Sequence, residues 1–120
     1  MAKAGKNSLS PQWTEKLDRA EVQEAMDDAQ IDCYGEYEQH TGLLTMIQNV
    51  LALPFNAQVL GDTVEIVAVE WPENDEFGLD LIVERNGQRH RIDARSVDLL
   101  PPFPKGHLYL AAYLDWRRGL

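Results

Sequence analysis

The sequence predicts an α+β domain, and three observations predict it. Up to Pro54, apolar residues recur at helical spacing. From Phe55 onwards the spacing changes to two, and Asn86-Gly87 sits between two such runs as a hairpin signal. The last apolar stretch, from His107 to Arg118, returns to the helical period and carries basic residues at its C-terminal end. A chain of 120 residues suits one compact domain.

Residues 1–9 are small, polar or basic and read as a flexible tail. Residues 10–120 read as a single domain, helical over 10–53, β over 56–100 and closed by a helix over 106–118. Ser10-Pro11 has the form of a cap followed by proline at the first helical position. Asp18 with Glu21 three residues later resembles a capping box, so a further helix starts there. Its stripe runs Val22, Met26, Ala29, Cys33, Tyr37, and either Gly35 or Gly42 is expected to break it. Leu43, Met46, Ile47, Val50 and Leu51 form the clearest amphipathic pattern, which Pro54 ends.

Two hairpins follow. Ala57–Leu60 and Thr63–Trp71 flank a Gly61-Asp62 turn, and Gly78–Arg85 and Gln88–Ala94 flank Asn86-Gly87. Ser96–Leu99 reads as a short last strand or 3₁₀ turn before the prolines at 101, 102 and 104. Four or five short strands are too few for a large sandwich. The expectation is a small antiparallel SH3-like β-barrel with the N-terminal helices packed on it and the C-terminal helix closing it.

The formal charge of −9 argues against direct binding of nucleic acid or anionic lipid. Its distribution is more informative. Between Arg19 and Arg85 there are fifteen Asp and Glu and no Lys or Arg. The middle of the chain should therefore attract cations, either metal ions or the basic surface of a protein partner. No apolar run is long enough to span a bilayer, and the first ten residues lack the apolar centre of a secretory signal, so a cytoplasmic protein is expected.

Catalytic chemistry finds little support. Cys33 lies on an apolar stripe and reads as a buried filler rather than a nucleophile. Cys33, His40, His90 and His107 lack the close pairing of a zinc site, and His40 reads as a helix-surface or capping residue. The glycines at 35, 42 and 61 are isolated and form no phosphate loop. The chain is not expected to be an enzyme.

Two acidic segments remain. The stretch EWPENDEFGLD, residues 70–80, holds Glu73, Asp75 and Glu76 within a loop bracketed by Trp71, Pro72, Phe77 and Gly78. The other, residues 32–38, holds Asp32, Glu36 and Glu38. On a helix Glu36 and Glu38 diverge, whereas an extended segment after Gly35 would point them the same way. Ca²⁺ takes six to eight oxygen ligands in flexible geometry, which two such segments brought together would supply. The loop pattern of an EF-hand is absent.

From Tyr34 the run YGEYEQHTGLLTMIQNVLALPFNAQVLGDTVEI resembles the cyanobacterial-type calcium-binding protein (CcbP-like) family. The likeness lies in acids and Tyr around a Gly, a helix ending in Leu-x-x-Pro-Phe, then a strand and a Gly-led turn. It extends more loosely through Asn86-Gly87 and RIDARSVDLLPP to the last helix, covering roughly residues 32–118. The resemblance implies a small acidic bacterial protein that binds Ca²⁺ through surface carboxylates on an SH3-like fold. Glu36 and Glu38 match the acidic stretch before the family's helix. The leading expectation is a calcium buffer or sensor with Asp32, Glu36, Glu38, Glu73, Asp75 and Glu76 as ligands. The alternative is an acidic interaction module that docks a basic partner or mimics nucleic acid.

Overall fold

The computed structural model describes residues 11–120. The tail expected over residues 1–9, and Ser10 of the expected helix start, lie outside the described residues. Pro11 is itself the cap of a short 3₁₀ helix, Gln12–Lys16, and not its first helical residue. That turn is fixed from outside. The Trp13 indole is buried and its backbone N–H donates to Asp98 Oδ1 at 3.1 Å.

Helix α1 spans Arg19–Ala29. Asp18 caps it as the sequence predicts, its Oδ1 accepting from the N–H groups of Ala20 at 2.7 Å and Glu21 at 3.4 Å. Val22, Ala25 and Ala29 are buried, but the stripe ends there. Asp32 sits in the left-handed region at φ 61°, so the helix cannot continue to Cys33 and Tyr37. Gly35 then caps a new helix, α2, over Glu36–Val50. Gly42 is not a breaker. It lies inside α2, where a Cβ would come within 2.3 Å of the Ala29 carbonyl oxygen, and its bare backbone lets the end of α1 close onto α2. Cys33, only partly buried, borders the same contact. Leu43, Leu44, Ile47 and Leu51 are buried along the predicted amphipathic face.

The strands are β1 (Phe55–Val59), β2 (Asp62–Glu70), β3 (Asp80–Arg85), β4 (Gln88–Asp93) and β5 (Asp98–Leu99). They form one antiparallel sheet in the order β4-β3-β2-β1-β5. Both hairpin turns place two residues at positive φ, Leu60-Gly61 and Asn86-Gly87, which matches the right-handed twist of the strands they join. The first turn falls one residue earlier than the Gly61-Asp62 expected. Between Ile66 and Ala68 the register of β2 on β3 shifts by a bulge.

The expected closed barrel is not formed. β4 and β5 are the two edges of an open sheet, and among the described residues no pairing joins them. The physical reason lies in β5. It pairs with β1 only through Ala57–Leu99 and Gln58–Asp98, and the prolines that follow have no N–H to extend a ladder. Helices cover the sheet instead. Ala57, Ile66, Leu81 and Leu99 form one core with Leu43, Leu44 and Ile47 of α2. Helix α3, His107–Arg118, adds Leu110, Ala111, Ala112, Tyr113 and Leu114, and packs against both α1 and α2. Among the described residues no helix is long and apolar enough to cross a membrane.

Candidate metal centre

Residues 71–79 connect β2 to β3 and form a built loop. Gly78 N–H donates to Asp75 O at 3.0 Å, and a Cβ on Gly78 would lie 2.6 Å from Pro72 Cγ, so the loop folds tightly on itself. Two helices clamp it. Tyr113 Oη donates to Phe77 O at 2.8 Å, and Arg117 donates to the same carbonyl and, at 2.9 Å, to Asp75 Oδ2. From α2, His40 lies 2.9 Å from Gly78 O through Nε2. A carbonyl only accepts, so Nε2 carries the proton.

His40 is therefore not the surface residue the sequence led us to expect. It is 5% exposed and packs among aromatic rings. The imidazole stacks on Trp116 at 5.7 Å and 18° and meets the Phe77 edge at 5.7 Å and 80°. Trp71 lies 6.4 Å away on the loop side. Burial lowers the His40 pKa, while the bond to Gly78 opposes that shift. Burial also pushes the Tyr113 phenol up to about 12, so it stays a donor. The signal for this cluster was in the sequence as His40 and Trp116 on helical faces and Phe77 in the loop, but only the tertiary fold brings them together.

The acids meet different fates. No Lys or Arg lies among the fifteen acids of the base-free interval, yet five of them find arginines from the C-terminal part of the chain. Arg85 pairs with Asp62, Arg89 with Glu84, Arg91 with Glu70 and Asp80, and Arg117 with Asp75. Asp75 is thus committed to α3. Beside it, Glu73 and Glu76 are exposed and in no ion pair among the described residues. Glu73 borders an open cleft of about 740 Å³ with Glu70, Trp71, Asp80 and Arg91.

Asp32, Glu36 and Glu38 are also exposed and take part in no ion pair among the described residues. Their geometry differs from an extended claw. Glu36 and Glu38 lie in the first turn of α2, so their side chains leave the axis about 200° apart. The helix dipole favours both there. Glu38 Oε1 accepts from the Tyr34 N–H at 2.9 Å, and Asp32 Oδ1 accepts from Tyr34 Oη at 3.5 Å. Positions 36 and 40 lie one turn apart on α2, and it is His40 that contacts the loop, at Gly78 O.

Among the described residues, no three Asp, Glu, His or Cys side chains converge in a metal-holding group. His40 ties α2 to the 71–79 loop, but the acids of the two segments are not gathered into a coordination shell. As donors they match Ca²⁺, being exposed carboxylate oxygens without soft ligands.

No family model matches the chain, and no curated protein matches it by sequence. Among solved structures, the crystal structure of Anabaena CcbP is similar, with a TM-score of 0.65 and 15% sequence identity. The match covers 86% of this chain and 94% of that one. At that identity the likeness establishes a shared fold of helices and antiparallel sheet.

Proposed function

We propose that the protein is a cytoplasmic calcium-ion binder, a buffer or sensor without catalytic activity, that uses surface carboxylates in place of an EF-hand. The observation that carries this reading is the fold shared with Anabaena CcbP over 86% of the chain. The residues around Glu36 and Glu38 independently resemble the calcium-binding family of that name. The distribution of charge supports it as well. Asp32, Glu36, Glu38, Glu73 and Glu76 are exposed and unpaired among the described residues, whereas five neighbouring acids are already neutralised by arginines.

Calcium accepts irregular shells completed by water, so an ion does not require all its carboxylates in place beforehand. Glu36 from α2 and Glu73 or Glu76 from the loop are assigned as the first contacts, with Asp32 and Glu38 beside them. Asp75 joins only if Arg117 gives up its carboxylate. Melting curves of the protein in Ca²⁺, Mg²⁺ and chelator test the reading. Calcium at ~100 times its dissociation constant should add about 2.7 kcal/mol by linkage, and magnesium less. Identical curves in all three would remove calcium binding.

A further inference from the structure

We infer that the exposed ridge from Ile31 to Tyr37 docks a lysine- and arginine-rich segment of a partner protein. This takes up the second expectation of the sequence and does not require that calcium bind. Three large side chains stand in water within seven residues: Ile31 at 66%, Tyr34 at 85% and Tyr37 at 65% exposure. The fold forces them out. With Asp32 in the left-handed region and α2 starting afresh after Gly35, the stripe that should have buried Tyr37 is broken, and Tyr37 turns to solvent. At Gly35 the ridge is open: among the described residues a Cβ there would find no atom within 4 Å. Large apolar side chains exposed together in one short segment suit an interaction site, and tyrosine supplies large contact area at low entropic cost.

Charge selects the occupant. Asp32, Glu36 and Glu38 alternate with the tyrosines and have no ion pair among the described residues. The N-terminus of α2 offsets only about half a unit of that charge. Anionic lipid and nucleic acid are repelled. A second copy of the chain would bring the same acids to a self-complementary contact, carboxylate against carboxylate. Arginine and lysine satisfy both halves of the surface, pairing with the carboxylates and lying over the tyrosine rings.

The test uses a synthetic arginine-rich peptide, titrated at physiological salt in the presence of chelator so that the fate of the calcium reading does not enter. Amide chemical shifts should move around residues 31–38. Tyr34→Ser with Tyr37→Ser leaves the net charge unchanged and should weaken binding at least ~10-fold, whereas Tyr34→Phe with Tyr37→Phe should retain it. Both variants should melt with the wild type, because the side chains they alter are exposed. Three results would each overturn the inference: no binding, shifts spread over the acidic surface or centred on Glu21–Asp28, or unchanged affinity in the serine variant. The last would reduce the contact to bare charge attraction.

Discussion

Replacing Gly42 by alanine is the sharpest test of how the acidic segments are positioned. Inside a helix, Gly→Ala ordinarily stabilises by about 1 kcal/mol through backbone entropy. At Gly42 the new Cβ would lie 2.3 Å from the Ala29 carbonyl oxygen, more than 1 Å inside ordinary contact. The obstacle is backbone at the last residue of α1, so no side-chain rotation relieves it; Cys33 Sγ, at 3.3 Å, closes a second direction. Relief requires α1 to draw away from α2 and disturb the buried Val22, Ala25 and Ala29. Overpacking of this kind costs about 1–3 kcal/mol, and a backbone obstacle puts it at the upper end. After the propensity gain, the net loss is about 2 kcal/mol, a fall in melting temperature of roughly 8 °C for a chain of this size. Thermal unfolding followed by circular dichroism reads it directly. A melting temperature equal to or above wild type would mean that α1 does not end against Gly42 and that the turn carrying Asp32 is placed differently.

Three further outcomes follow from the loop and its neighbours. Arg117→Gln removes the donor shared by Phe77 O and Asp75 and should lower stability by about 2 kcal/mol in urea unfolding, with altered tryptophan fluorescence from Trp71 and Trp116; wild-type stability would show that the clamp is idle. His40 has a folded pKa below the ordinary 6.5, so the unfolded chain takes up that proton first as pH falls. The His40 contribution is therefore present above pH 6.5 and lost as pH drops from there towards the folded value. Urea midpoints of His40→Gln should fall less steeply than wild type across that window, and parallel curves would contradict it. Neutralising Glu36 with Glu38, or Glu73 with Glu76, should remove the same bound calcium, and combining the pairs should cost little more. Additive loss of separate ions would divide the site in two.

The fold was legible where local chemistry decides it. Asp18 with Glu21 announced a helix start, Asn86-Gly87 a hairpin, and the Leu43–Leu51 stripe a buried face. What the sequence could not convey depended on contacts distant along the chain. Gly42 reads as a breaker by propensity alone, yet it is retained in α2 because Ala29 needs its space. Closure of the sheet was undecidable without knowing that β5 holds two residues. The candidate site shows the same division. The surplus of acid was plain, but its pairing was not: Arg117 lies 42 residues from Asp75, and Arg91 lies 21 from Glu70. Glu36 and Glu38 read as an acidic stretch ahead of the helix, extended after Gly35, but the helix begins on Glu36 itself, so they spread apart instead of converging. His40, the residue that links α2 to the loop, is joined to Trp116 and Phe77 only by the tertiary fold.

Calorimetric titration of the metal-free protein with Ca²⁺ in physiological salt tests the central claim most directly. Saturable binding is expected, which Mg²⁺ at equal concentration does not abolish and which Glu36→Gln with Glu38→Gln weakens markedly. Heats that never saturate, or that are the same for Ca²⁺ and Mg²⁺, would mean that the carboxylates hold only a diffuse counterion cloud, and the calcium assignment would fall.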